Sequence, residues 1–381
     1  MGLVAEKTDK NRGDVATPGA FFLWRPEVNE ATFIREHGAH VHGAVLLGRH
    51  LVRRPDDPPS TDLARAAREV GCPHLHDPDT AILIWHEGTG EERFGRSGEM
   101  PAARLVDLPL RPEALAGDAQ LEQFVRLTLA SQIGTTHVAP PYFRFSGVDD
   151  PWLQLSLRAA AVANKVSAPR PLAVFVSTDL DGLTSGALAA AAPLYARVLQ
   201  GDALVFLSVA GLDSLAAEPK TLAAYLGAVG AFTAAGFRVI ADRVGRFGAA
   251  VVASGAAGYC AGTRVYRHTP PSPDWKNERS IKVLMHYEAP GRGDRIRRQD
   301  VARRLRRKSI PACPVPDCPV GERVTVKDMR WHSIHLQQLE VGEAAELGLE
   351  GWAKQLAVSP RNYVRGWAEA LRLSAQASQA A

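Results

Sequence analysis

The chain has 381 residues, of which 46% are hydrophobic and 23% charged, with a net charge of +4. That balance excludes a disordered or collagen-like chain, and the length exceeds one average domain, so a large core with an appendage is expected. No stretch reaches the ~18 apolar residues needed to span a bilayer, and the first 18 residues are polar with no secretory apolar core. The expectation is a cytoplasmic protein with no membrane partner.

From residue 41 onward, short apolar runs alternate with longer amphipathic ones, which is the pattern of a parallel α/β fold. Runs at 41–47, 74–76, 136–138, 172–177, 203–209, 237–241, 258–261 and 281–286 read as strands. Helical patterns occupy 60–70, 112–132, 151–166, 183–199 and 219–235 between them. Residues 172–176 and 204–209 are continuously apolar, as expected of strands covered on both faces. Eight strands with regular helical crossovers, and no glycine-rich dinucleotide fingerprint after the first, predict a (β/α)8 TIM-like barrel. Residues 80–110 fit that repeat poorly and read as an inserted hairpin with 82–85 as one strand. The predicted division is an N-terminal segment at 1–40, the barrel at 41–290, and a C-terminal zinc-binding helical appendage at 291–381, with helices at 330–347 and 360–374.

Catalytic groups of such barrels lie at the carboxyl ends of the strands. The residues there are His76, Asp77 and Asp79; His137, Tyr142 and Arg144; Asp179 and Asp181; Asp213; and Asp242 and Arg243. Asp179 and Asp242 each directly end an apolar strand and are the catalytic candidates. Two carboxylates at one mouth suit glycosidic bond cleavage, one stabilising the oxocarbenium-like state and the other moving the proton. The alternatives are a helix cap for Asp179 and Asp181, and a structural ion pair for Asp242 with Arg243. Cys260 reads as a small buried residue, and His40 and His42 as core or surface residues. Gly245-Arg246-Phe247-Gly248 could wrap a phosphate at a helix start.

Residues 292–308 carry nine Lys and Arg against Asp294 and Asp300. Of these, Arg297, Arg298, Arg303, Arg304, Arg306 and Arg307 are the expected contacts to an RNA or DNA backbone. Next comes the Pro-rich turn holding Cys313 and Cys318, with His332 and His335 on the helix that follows. Two thiolates from a stiff turn and two imidazoles three residues apart suit a tetrahedral structural zinc. The chain's four cysteines read as a metal site with free thiols, not as a disulfide framework.

A barrel followed by this turn and a Ser333-Ile334-His335 helix start resembles the tRNA-guanine transglycosylase superfamily, which includes DNA deazapurine transglycosylases. The zinc turn of that family reads Cys-x-Cys-x2-Cys with a later histidine. Cys313 and Cys318 match its outer cysteines, Val315 stands at the middle one, His335 matches the histidine, and His332 could replace the missing thiolate. The resemblance implies base exchange or glycosidic cleavage on a nucleobase in RNA or DNA. The family's nucleophilic aspartate follows its seventh strand in an Asp-Cys-x-x-Pro-Thr-Arg segment. Here Gly258-Tyr259-Cys260-Ala261-Gly262-Thr263-Arg264 keeps the Cys and the Thr-Arg without an Asp. The nucleophile has moved, or the chemistry differs, or the protein is a non-catalytic binding module. A barrel hydrolase or lyase acting on a small acidic substrate is a further alternative, and pairing into a homodimer is left open.

Overall fold

A computed structural model describes residues 19–24, 31–38, 41–47, 61–84, 100–167, 170–199, 203–261, 286–288, 295–310, 313–315, 317–320 and 324–380. Eight strands form one parallel sheet: β1 (Ala20–Trp24), β2 (Gly43–Leu47), β3 (His74–Asp77), β4 (Arg144–Phe145), β5 (Ala173–Thr178), β6 (Leu204–Val209), β7 (Arg238–Asp242) and β8 (Gly258–Ala261). Their order, β3-β2-β1-β8-β7-β6-β5-β4, is the chain order read around a ring and opened between β3 and β4. At that seam Thr136 N donates to His74 O at 3.0 Å, while Ala173 N donates to Val138 O at 2.9 Å. Residues 136–138 therefore lie between β3 and β5, where a strand was expected. Pro140 and Pro141 follow at once and have no N–H to give a ladder, which accounts for the broken strand and the late, two-residue β4.

The helices are α1 (Ala31–His37), α2 (Thr61–Glu69), α3 (Asp118–Ala130), α4 (Pro151–Val166), α5 (Leu180–Thr184), α6 (Ala187–Ala196), α7 (Pro219–Ala234) and α8 (Phe247–Ala253). Beyond them come a hairpin of β9 (His286–Glu288) with β10 (Arg295–Arg297), then α9 (Arg298–Arg306), α10 (Val326–Ala357) and α11 (Asn362–Ala380). Several sequence expectations need correction. The first strand is Ala20–Trp24, inside the segment assigned to 1–40, so the sheet starts about twenty residues earlier than expected. Of the run at 281–286 only His286 is described, and it belongs to the hairpin. Residues Thr80–Leu83 form a short 3-10 turn in place of a hairpin strand, and Ile84 bridges to Leu110 in parallel.

Strand alternation sorts side chains into two cores. Phe22, Val45, Leu75, Phe175, Phe206, Ile240 and Cys260 pack on one face, where an aromatic row runs Tyr142, Phe175, Phe206, Phe22 at centroid spacings of 5.3, 4.8 and 5.6 Å. Ala44, Leu46, Val174, Val176, Val205, Leu207, Val239 and Ala241 face the helices in a larger core. That larger core also takes in Val341, Ala344 and Trp352 of α10 and Val364, Trp367 and Leu371 of α11. The two C-terminal helices thus belong to the helix layer over the sheet, and the expected boundary at 291 runs through the hairpin, with β10, α9 and the cysteine turn beyond it.

In this layer α8 packs closely on β8. A Cβ at Gly248 would stand 2.7 Å from Tyr259 Cβ and nearer still to its ring. Gly248→Ala is expected to cost about 1–3 kcal/mol by overpacking, read as a lowered urea midpoint; an unchanged midpoint would show that α8 can withdraw.

Candidate active site and metal group

Four of the inner-face apolar residues are followed two positions later by a polar one: Leu75 by Asp77, Phe175 by Ser177, Phe206 by Ser208, and Ile240 by Asp242. The period of two places these four polar groups above the aromatic row, at the carboxyl end of the sheet. All four are buried. Arg243 comes next, with a left-handed backbone (φ 60°), and its side chain reaches both acids. Its Nε donates to Asp242 Oδ2 at 2.7 Å and its Nη2 to Asp77 Oδ2 at 3.0 Å. Tyr142 Oη donates to Asp77 Oδ1 at 2.9 Å, and the Asp79 amide donates to the same oxygen at 2.8 Å.

Burial lifts the Asp242 carboxyl to about 6, against the opposing pull of Arg243 and with help from the negative charge of Asp77. Its Oδ1 is buried and makes no hydrogen bond of normal geometry, although Ser208 stands close enough to favour the charged form. For Arg243 the two carboxylates outweigh burial, so the guanidinium stays charged. Burial, reinforced by Asp77, pushes the Tyr142 phenol far above its usual range and keeps it a donor. Arg144, at the start of β4, is lowered by burial and also by the positive charge of Arg243, while Tyr142, Asp179 and Asp79 act the other way. The mouth therefore holds two arginines among several carboxyls, one of which can change protonation near neutral pH.

Asp179 sits at the carboxyl end of β5 and caps α5. Its Oδ1 accepts from Gly182 N at 2.8 Å and its Oδ2 from Ser146 Oγ at 2.5 Å. Asp181 is exposed in the first turn of α5, and Asp213 accepts from the Leu215 amide at 3.0 Å. Cys260 is buried beside Asp242 with its thiol raised by burial, which fits the expectation of an inert core residue. His76 points away from the acids, since it shares a face with His74. Half-buried His42 precedes β2 and burial lowers its pKa; His40 lies outside the described residues. Arg246, the centre of the expected phosphate loop, is instead paired with Glu340 of α10 through two contacts, Nε to Oε2 at 3.0 Å and Nη2 to Oε1. The sequence set out Asp77, Tyr142, Arg144, Asp242 and Arg243 as mouth residues but could not show that Arg243 joins the two acids.

In the cysteine turn, Cys313, Cys318 and His332 bring one donor atom each within 4.8 Å of one another, a group that could hold a metal ion. Cys318 Sγ lies 3.5 Å from His332 Nδ1. The Cys318 thiol is lowered, first by its contact with Cys313, whose own thiol is raised by the same contact, and then by His332. The donor set is soft and suits a thiophilic ion. His335 corrects the expected four-ligand set. It is not brought into the group, because its ring lies against Trp331 one turn earlier, with centroids 4.0 Å apart.

The metal group closes a small satellite core of Val301, Ile310 and Met329, with Leu305, Val320 and Val324 around it. On the outside of α9, Arg303, Arg304 and Arg306 are exposed, followed by exposed Arg307; Arg303 also pairs with Asp300 at 2.5 Å. The backbone of Arg297 and Arg298 runs from β10 into α9. Among the described residues, no helix is long and apolar enough to cross a membrane.

No family model matches the chain, and the search of curated proteins gave no significant match. Solved structures similar to it include a Thermobacillus composti GH10 xylanase, 12% identical with a TM-score of 0.37, covering 60% of this chain and 68% of that one. A deoxyribose phosphate aldolase from Aeropyrum pernix is 13% identical with a TM-score of 0.35, over 71% of this chain and 93% of its own. A nitroalkane oxidase from Streptomyces ansochromogenes is 13% identical with a TM-score of 0.23, over 96% and 97%.

Proposed function

We propose that the chain is a divergent transglycosylase-like enzyme, a closed (β/α)8 barrel that breaks or exchanges a glycosidic bond to a nucleobase in RNA or DNA. The observation that carries this reading is the buried Asp77–Arg243–Asp242 cluster at the carboxyl ends of the strands, with one carboxyl poised at about 6. Support for a nucleic-acid substrate comes from the exposed arginines of α9 and from the sequence resemblance of the cysteine turn.

A departing base takes the electron pair of the C–N bond and needs a proton. Asp242, partly protonated near neutral pH, supplies it, while Arg243, Asp77 and Tyr142 fix its position. Asp179 stands at the rim with both oxygens already accepting a hydrogen bond; each oxygen keeps a free lone pair, which suits it to stabilise positive charge on the sugar. Cys313, Cys318 and His332 would hold a zinc ion, whose part is to staple the turn beneath the basic helix. The protein works inside the cytoplasm in this reading.

The test is base release or base exchange on RNA and DNA oligonucleotides across pH. Activity is expected to show a limb near pH 6. Asp242→Asn should lower it by about 100-fold or more while leaving salt-sensitive binding intact. Asp77→Asn removes a charge that raises the Asp242 pKa, so the limb should move to lower pH. A second reading, a binding module without catalysis, is favoured by the way Arg243 already engages both acids. Tight binding with no turnover on either nucleic acid would establish that reading and end the first.

A further inference from the structure

A cavity of about 270 Å³ opens between α10 and α11. Helical spacing assembles its walls: Leu336, Glu340 and Glu343 share one face of α10, and Val364 and Trp367 share one face of α11. Gly348 breaks α10 with φ 63°, ψ −173°, and Trp352 beyond the break lines the same space as Leu336 before it. Arg246, at the start of α8, completes the lining.

The lining divides into an apolar body and a charged rim. Leu336, Trp352, Val364 and Trp367 are buried, and the Arg246–Glu340 ion pair beside them is nearly so. Leu339, Glu343 and Gln355 are exposed. Charge then names the class of ligand. Arg246 and Glu340 cancel each other, whereas Glu343 has no ion-pair partner among the described residues, and the charges of Glu340 and Glu346 add to burial in raising its carboxyl. An anion would meet that negative field; a cation relieves it, and indole faces attract cations as well. Size sets the rest. A dry cavity of ~150 Å³ accepts benzene, so this larger one takes a ring with a short chain.

The same walls hold the loop that carries the mouth arginine. Arg246 follows Arg243 on the β7–α8 loop, where Arg243 and Gly245 both have left-handed backbones, with φ 60° and 58°. Trp367 Nε1 donates to Ser214 O at 2.7 Å, and Ser214 Oγ donates to Val244 O at 3.0 Å, which ties α11 to that loop. We propose that the cavity binds a small aromatic amine in its protonated form, the ring among Trp352, Val364 and Trp367 and the ammonium at Glu343, and that its occupancy steadies the β7–α8 loop behind Arg243. The site needs neither the metal group nor a nucleic acid, so it stands apart from the function proposed above.

The experiment titrates phenethylamine, phenethyl alcohol, ethylamine and phenylacetate calorimetrically into the full-length protein at neutral pH, and follows hydrogen exchange over residues 243–249 with and without saturating phenethylamine. One site per chain is expected, with the aromatic amine about tenfold tighter than the alcohol and phenylacetate weakest; ethylamine, which lacks the ring, should be weaker than phenethylamine. Glu343→Gln, at an exposed position, should bring the amine to the affinity of the alcohol. Val364→Phe, which fills the cavity, should abolish binding of both; Leu339→Trp, which covers it from the rim, serves if that variant does not fold. The amides of Arg243, Gly248 and Ala249, which donate to Cys260, Gly245 and Arg246 carbonyls, should exchange about fivefold more slowly when the site is full. No binding of phenethylamine, or binding that survives the cavity-filling variants, would overturn the site. Alcohol or phenylacetate binding as tightly as the amine would overturn the ligand class. Binding as expected with unchanged exchange at 243–249 would overturn the loop's part in it.

Discussion

Arg243→Met is expected to lower the free energy of unfolding at pH 7 by about 3–5 kcal/mol, the range for a buried ion pair that loses one partner. The cost arises from what remains. Asp77 and Asp242 are both buried, and Arg243 is the cation that both touch. Without it, two buried carboxylates lose the cation they share, and burial favours their protonated forms. The sign for pH follows from that. An acid whose folded pKa is raised contributes stability at low pH and loses it as pH rises through the folded value. The variant should therefore recover part of its deficit between pH 7 and 5, where wild type changes less. Adding Asp77→Asn and Asp242→Asn to Arg243→Met should restore most of the stability at pH 7, since the charges are then gone together. Guanidinium denaturation of wild type, Arg243→Met and the triple variant at both pH values decides it. A deficit that is independent of pH and unrelieved by the two asparagines would show that Arg243 acts through packing or its left-handed backbone and not through charge.

That cluster also marks where sequence reading reached its limit. Asp77, Tyr142, Arg144, Asp242 and Arg243 were all legible as mouth residues, because each follows an apolar run and strand ends are where polar groups gather. Their joining was not, because Asp77 and Arg243 stand 166 residues apart and only the tertiary fold brings them together. The α/β class and most helices were legible for a local reason: α4 and α7 are long runs free of strand-type alternation, each opened by a proline, Pro151 and Pro219, at the first helical position. The first strand was missed because Ala20–Trp24 is five residues long with Arg25-Pro26 directly after it, and nothing local distinguishes it from a leader segment. The expected ligand set shows the same boundary. Residues 332 and 335 share a helix face, so spacing admitted both, but the packing of His335 against Trp331 is a matter of side-chain choice that spacing does not determine.

If the Cys313–Cys318–His332 group holds a metal, removing it should produce a local collapse that leaves the parallel sheet and its helices intact. The segment from α9 to the start of α10 has three fully buried apolar residues of its own, Val301, Ile310 and Met329, flanked by three partly buried ones. At about 25 cal/mol per Å², burying so few side chains does not offset the entropy of ordering some thirty residues, and small elements of this kind depend on a metal or disulfide. Cys313 and Cys318 are free thiols, so any staple here is a metal. The rest of α10 stands differently, since Ile334, Val341 and Ala344 belong to the main core and hold the helix on α8 without help from the turn. Treatment with a strong chelator, or Cys318→Ser, is therefore expected to expose the Arg303–Arg307 stretch to trypsin at least tenfold faster, while the main thermal transition moves by only a few degrees. On the proposed nucleic-acid reading, affinity for RNA or DNA should fall with it, because the arginines lose their fixed spacing while keeping their charge. If trypsin cuts α9 no faster after chelation, the satellite core is self-sufficient and the three donors are not its staple; if the whole chain unfolds in one step, the turn is bound into the main core more firmly than its contacts indicate.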